Sequence, residues 1–418
     1  MTGVQEAFVP APAWVLPFVA ILLAIALLPL LAPHFWESNR NKLAVSALLG
    51  FPVLGLYLGQ RPEAVVHVAE DYVSFIVLLG SLFVISGGVM LTGDLEARPA
   101  VNTGFLAAGS LLASVIGTTG ASMLLIRPLL STNHERKRVR HTVVFFIFLV
   151  SNIGGCLTPL GDPPLFLGYL QGVPFAWTLR LFPAWLATTS LLLVVYFLWD
   201  SWAYAREVKA DLSRDQSEVR PLRVAGKDNL VLLVGIVAAA AFLAAPWREA
   251  TMVGLAVLSF ASADPELRRA NQFSFAPILE VAALFAGIFL TMLPALDLLR
   301  ARGAELGVRE PWQFFWATGT LSSFLDNAPT YLTFLALGQG LQLPDEVVGV
   351  PHAILAAISV GAVFMGANTY IGNAPNFMVK AIAEATRVRM PSFFAYMLYS
   401  AGILLPVFAA VTWLFFRT

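Results

Sequence analysis

Apolar stretches of roughly membrane-spanning length follow one another along almost the whole chain, near residues 13–33, 42–59, 71–91, 141–172, 183–199, 229–246, 250–263, 277–299, 352–384 and 393–415. A hydrocarbon layer about 30 Å thick takes about 20 helical residues to cross, so these stretches read as about ten transmembrane helices. With 58% of residues hydrophobic and 12% charged, the expected class is an all-α polytopic membrane protein. The stretch from Ala13 to Leu31 follows a leader without Lys or Arg, and therefore reads as a retained first span rather than a secretory signal. A formal net charge of zero argues against a nucleic-acid partner, and the single cysteine, Cys156, excludes an internal disulfide.

Two further stretches, 100–131 and 312–340, are long but interrupted halfway by small or polar residues. As one straight helix each would run about 45 Å at 1.5 Å per residue, too long for a single crossing. Each is expected to be a re-entrant helical hairpin. With ten spans and two hairpins, 18 lysines and arginines fall on one side and 7 on the other, leaving out Arg127 inside the first hairpin. The positive-inside rule makes the richer side cytoplasmic and places both termini outside. The expected organisation is N-terminal scaffold spans over 1–70, a first repeat over 71–199, a cytoplasmic linker loop over 200–228, connecting spans over 229–276 and a second repeat over 277–418.

The repeats are visible as motifs. Thr158-Pro-Leu-Gly161-Asp162-Pro-Pro164 aligns with Thr369-Tyr-Ile-Gly372-Asn373-Ala-Pro375, 211 residues later. The interruption beginning Gly117-Thr118-Thr119 aligns with the one beginning Asp326-Asn327-Ala328, 209 residues later. With one hairpin opening to each side of the membrane, the repeats are inverted, the arrangement of many secondary transporters with a site at the repeat interface.

Proline and glycine inside a span free backbone groups that lipid cannot satisfy, so a broken span is a candidate binding site. Segments 141–172 and 352–384 are expected to be half-helix, unwound link, half-helix, broken at the midplane. Asp162 before Pro163 has the grammar of a capping residue, and Asn327 and Asn373 before Ala-Pro repeat it with an amide. The meeting point of the four interruptions collects Asn152, Thr158, Asp162, Asn368, Thr369, Asn373 and Asn376 from the broken spans. The hairpins add Thr118, Thr119, Ser122, Asp326, Asn327 and Thr330. Such hard oxygen donors suit a small hard cation, with Asp162 and Asp326 as the sodium-ligating carboxylates. A carboxylate in mid-membrane costs roughly 2.5–3.5 kcal/mol to insert and is a functional candidate by default.

Plainer roles stand beside these. Asp162 can be a helix cap alone, and Thr118 and Thr119 can bond backbone in a tight turn. Arg127 either snorkels to the interface or serves as a counter-charge to Asp162. Asn327 supplies the second hairpin's cap, which leaves the Asp326 carboxylate surplus. Lys380 and Glu384 form a solvated pair. The histidines sit in loops or at span ends without ligand spacing. The chain shows no metal cluster, nucleophile elbow or phosphate loop, so neither an enzyme nor a cofactor is expected.

The run from Ser151-Asn-Ile-Gly-Gly-Cys through Gly161-Asp-Pro-Pro164 follows the hairpin Ser114 to Arg127. The run Gly366-Ala-Asn-Thr-Tyr-Ile-Gly-Asn-Ala-Pro-Asn376 follows the hairpin Ser322 to Leu335. Together they make the sequence resemble the ion transporter superfamily, which includes sodium/proton antiporters, citrate carriers, divalent-anion/sodium symporters and arsenite permeases. The resemblance extends roughly from Val73 to Phe415. It implies a dimerising scaffold domain and a transport domain of hairpins and broken spans that moves like an elevator. Dicarboxylate carriers of the superfamily resemble one another in a Ser-Asn-Thr triplet at each hairpin tip, and this chain departs from it. The Asp326-Asn-Ala-Pro-Thr330 tip and the Gly161-Asp-Pro-Pro164 break look more like the sodium/proton antiporter branch. The expectation is therefore a homodimeric sodium/proton antiporter of the bacterial inner membrane, exchanging Na+ for H+ at Asp162 and Asp326. A sodium- or proton-coupled carrier of citrate or another organic anion is the alternative, and a channel or scaffolding protein the third reading.

Overall fold

The computed structural model describes residues 8–217 and 219–417, and of Leu30 only the backbone. The expected outward placement of the two chain ends lies outside the described residues.

The first half runs α1 (Leu16–Leu31), α2 (Pro33–Trp36), α3 (Asn39–Gln60), α4 (Pro62–Ser86), β1 (Met90–Asp94), α5 (Pro99–Ile116), α6 (Thr118–Thr132), α7 (Arg140–Leu149), α8 (Pro163–Leu170) and α9 (Phe182–Tyr204). After α10 (Lys209–Ser217) and β2 (Arg220–Ala225) come α11 (Lys227–Phe242), α12 (Trp247–Ser262), α13 (Pro265–Ala270) and α14 (Ala276–Arg302). The chain closes with α15 (Pro311–Ser322), α16 (Asn327–Gly340), α17 (His352–Met365), α18 (Ala374–Ala385) and α19 (Phe393–Phe415).

Seven of these helices, among the described residues, are long and apolar enough to cross a membrane. They account for six of the ten expected spans, together with α5, which was expected as half of a hairpin. The stretches 229–246 and 250–263 appear as α11 and α12, each of 16 residues, short of a full crossing. The two broken spans fall short because their helices stop at the breaks.

Burial sorts the helices into an outer and an inner set. On α1, α3, α11 and α19, large apolar side chains such as Leu23, Leu48, Val231 and Leu398 are exposed, as expected where lipid rather than protein is the solvent. In α7 and α17, by contrast, every residue is buried from His141 to Leu149 and from Ala357 to Met365. The interrupted spans thus form the middle of the molecule. Around them α14 packs on α3 and α4, and α15 on α17, while α5 folds back on α6 and α15 on α16. Phe75, stacked on Phe285 at 4.7 Å, joins α4 to α14.

The linker departs from expectation. Residues 200–228 are not a plain loop: α9 continues to Tyr204, α10 follows, and β2 pairs antiparallel with β1 in the register Met90↔Ala225, Leu91↔Val224, Thr92↔Arg223. A small sheet therefore sits on an otherwise helical protein. Backbone groups just past the end of α4 would otherwise lack partners, and the ladder satisfies them.

Candidate functional site

Each broken span turns on one pair of glycines. A Cβ on Gly161 would collide with the carbonyl of Gly155, and one on Gly372 with that of Gly366. Only glycine lets the unwound link fold back this closely. The links are then riveted to the hairpins by matching bonds. In the first half the Thr158 hydroxyl donates to the Ser114 carbonyl, and Ser114 Oγ donates to the Gly154 carbonyl at 2.5 Å. In the second, Thr369 Oγ1 donates to the Ser323 carbonyl at 2.5 Å, and Ser323 Oγ to the Met365 carbonyl at 3.1 Å. Ser114 and Ser323 were not singled out as site residues from sequence, although their separation of 209 residues equals that of the hairpin tips.

The four interruptions converge on Asp162, which is 1% exposed. Thr118 Oγ1, at the first hairpin tip, donates to Asp162 Oδ1 at 2.9 Å. Asn327 Nδ2, at the second tip, donates to Oδ2 at 2.5 Å. Asn373 Nδ2, from the other broken span, donates to Oδ1 at 3.0 Å and to the Ser151 carbonyl at 3.1 Å. The local backbone explains why the carboxylate is available for all three. Asp162 occupies the cap position of α8, but Pro163 and Pro164 carry no N–H, and the amide of Leu165 bonds the Asp162 carbonyl at 3.1 Å. The capping role of its side chain is thereby ruled out: the prolines leave it nothing to cap. At the hairpin, Gly117 turns with φ +81° and lets the Thr118 amide reach the Gly161 carbonyl at 2.8 Å.

The second tip exchanges two expected roles. Asp326, not Asn327, is the cap of α16, its Oδ1 accepting from the Ala328 amide at 3.0 Å. Asn327 is the first helical residue and reaches the buried carboxylate instead. Asp326 is only half buried, and its second oxygen accepts no hydrogen bond among the described residues.

The remaining candidates divide. Asn152 Nδ2 donates to Asn376 Oδ1 at 2.7 Å, and Asn376 Nδ2 donates to the carbonyls of Gly366 and Thr369, both at 2.9 Å. This amide chain ties the two broken spans directly to each other. Asn368 Nδ2 donates to Ser323 Oγ at 2.9 Å. The Oδ1 atoms of Asn152 and Asn368 are buried without a partner, a costly state for an amide oxygen unless an ion or water completes it. Ser122 and Ser151 share a hydrogen bond of 2.8 Å beside this chain. The hydroxyls of Thr158, Thr369 and Thr330 donate to the carbonyls of Ser114, Ser323 and Asp326, which fixes their direction and leaves oxygen lone pairs able to accept. Thr119 is half buried and makes no side-chain hydrogen bond among the described residues.

No basic side chain among the described residues bonds to Asp162. Arg127 donates instead to Gln272 Oε1 at 3.1 Å, which settles its choice in favour of the protein edge. The histidines are not all peripheral: His141 is buried, with Nε2 2.9 Å from Asp200 Oδ1, and Arg136 grips the same carboxylate at 2.6 Å. That cluster fixes α7 to α9 and is separate from the Asp162 centre. Lys380 and Glu384 pair at 3.1 Å as expected, and no group of three or more His, Cys, Asp or Glu is placed to hold a metal among the described residues.

A mainly helical membrane protein in which two interrupted spans and two hairpin tips close over one carboxylate has the construction of a transporter. The chain belongs to a transporter family: over residues 9–416 it matches the family described as "Putative citrate transport". No curated protein matches it.

Proposed function

We propose that the protein is a secondary active transporter that exchanges Na+ for H+ at Asp162, with Asp326 as the second carboxylate. The observation that carries the reading is the set of partners of Asp162: three neutral donors from three other segments, and no cation. A buried anion held this way keeps its charge uncompensated and attracts a proton or a hard cation. The unpartnered oxygens of Asn152 and Asn368 offer further ligands of the same hard type.

Protonation also has a mechanical meaning here. An ionised carboxylate accepts from Thr118, Asn327 and Asn373 with full charge, whereas the protonated form accepts as a neutral group and holds the three donors more weakly. Loading and unloading the proton would thus loosen and tighten the link between the halves. The paired rivets at Ser114 and Ser323, near one sequence offset, support inverted repeats with two re-entrant hairpins. The excess of basic residues on one side supports outward termini. With these go a bacterial inner-membrane location and an elevator-like motion of the hairpins and broken spans against a dimeric scaffold formed by the remaining spans.

The family's description favours a second reading, a sodium- or proton-coupled citrate carrier. Against it, a citrate anion at this site would meet Asp162 and Asp326, and like charges in a low-dielectric site repel strongly. Purified protein in liposomes containing a pH-sensitive dye separates the two. Sodium-dependent dequenching under an imposed proton gradient, absent in Asp326→Asn, is the expected result. Uptake of labelled citrate without any sodium-dependent proton flux would overturn the antiport.

A further inference from the structure

The helices that leave the Asp162 centre end at a different kind of site. α6 starts at Thr118 and α18 just after Asn373; their last turns open on a cavity of about 1030 Å³. The side chains around it include Arg127, Arg136, Lys137, Arg140, Arg387 and Arg389, and, among the described residues, no Asp or Glu. Arg136 and Lys137 are neutralised by Asp200 at 2.6 Å and Asp211 at 3.3 Å. The other four guanidinium groups have no ion pair among the described residues. Arg127 donates to a neutral amide and Arg140 Nε to the Arg389 carbonyl at 2.7 Å.

A positive-inside bias accounts for basic residues on one face, but not for four uncompensated guanidiniums around one concavity. Two exposed arginines elsewhere pair with acids, Arg98 with Glu96 at 2.7 Å and Arg302 with Glu305 at 2.8 Å; what sets the cavity apart is that four unpaired guanidiniums gather around one concavity. The backbone adds a second observation. Arg387 ends α18 in the left-handed region, φ +68°, where the Val388 amide bonds back to the Ala383 carbonyl at 3.0 Å. Glycine is the usual residue at that position because a Cβ is strained there. Here the strain is accepted and an arginine is delivered to the cavity.

We propose that this cavity is a binding site for a diphosphate-bearing anion, which bridges α6 of the first half to the α18 end of the second. Guanidinium forks match phosphate oxygens in pairs, and basic pockets between membrane helices on the cytoplasmic side bind lipid headgroups that carry more than one phosphate, such as cardiolipin. A soluble diphosphate presents the same chemistry. Anion binding at this point ties together the far ends of the two helices whose near ends meet at Asp162.

Native mass spectrometry of the full-length, detergent-solubilised protein tests this, with cardiolipin as the lipid probe, phosphatidylethanolamine as the neutral control and inorganic pyrophosphate as the soluble probe. The double variant Arg387→Gln/Arg389→Gln removes two exposed side chains, and Arg302→Gln is the control for generic loss of charge. Binding of cardiolipin or pyrophosphate is expected to weaken about tenfold or more in the double variant and to stay unchanged in Arg302→Gln. Preference for cardiolipin identifies a headgroup site, and preference for pyrophosphate a soluble effector. Equal binding of both probes by the double variant and the unaltered protein, or no binding of either, would overturn the proposal.

Discussion

The two broken spans share a backbone and differ in charge. Gly155 and Gly161 pack as Gly366 and Gly372 do, and Thr158 bonds the Ser114 carbonyl as Thr369 bonds that of Ser323. At the cap of the following helix, however, one half carries Asp162 and the other Asn373, and the amide donates to the carboxylate at 3.0 Å. The matching bonds supply a symmetric cradle, and a single position, Asp162 against Asn373, breaks the symmetry. A second carboxylate in place of the amide would set two like charges within hydrogen-bond distance, so the asymmetry is what lets the two spans touch.

The largest effect is expected from breaking that asymmetry. Asp162→Asn should abolish sodium-dependent proton flux in liposomes while leaving the protein folded, because the amide keeps the shape. Asn373→Asp alone should lower the melting temperature by several degrees through like-charge repulsion, about 2 kcal/mol or more. Adding Asp162→Asn to it should recover stability. Transport in that double variant would mean the halves are interchangeable, and the assignment of the chemistry to the first half would fail.

Next in size, Asn327→Ala removes one donor from a buried anion, a loss of about 1.5–3 kcal/mol. It should weaken apparent sodium affinity by about ten- to a hundredfold, read from the sodium dependence of flux. An unchanged sodium dependence would show that the second hairpin tip plays no part in holding Asp162.

Ser114→Ala and Ser323→Ala compare the rivets. Each removes hydroxyl bonds to buried backbone, about 1 kcal/mol per bond, and thermal unfolding should show losses of similar size. A loss confined to one variant would mean that the matching bonds are not matched in strength.

The smallest effect concerns α10, which lies between the two broken spans in the chain. Asp215, on α10, is pushed up from 3.8 to about 6, chiefly by burial and further by Glu135, Asp94 and Glu96, while the Ala97 amide, bonded to it at 3.0 Å, pulls it down. A carboxylate raised in the folded state is favourable while protonated, so its contribution declines as pH rises from about 4 through 6. Asp215→Asn should therefore gain stability over the unaltered protein progressively between those pH values, and a pH-independent difference in melting temperature would contradict it.

Much of this arrangement is legible in the sequence, for physical reasons. Single prolines are absorbed inside α1, α3, α14 and α19, but proline and glycine clustered with Asp, Asn and Thr mark the breaks and hairpin tips, as does their offset. Side-chain direction in unwound backbone is not encoded by any period. That Thr158 and Thr369 rivet the unwound links to hairpin carbonyls is therefore seen only in the structure. Asp326 and Asn327 both cap well, and a one-residue ambiguity exchanged their roles. The sheet was invisible because Met90–Asp94 and Arg220–Ala225 are short, mixed in polarity and more than 120 residues apart.

That sheet makes the connection between the halves a seam rather than a leash. β2 is stitched to β1, and only Gly226 separates it from α11, so almost no slack is left for the halves to wander. The covalent bond through the exposed pair Val208 and Lys209 then carries little of the assembly. Two polypeptides divided there would still find their register through the strands, and the protein could be built from two separate genes.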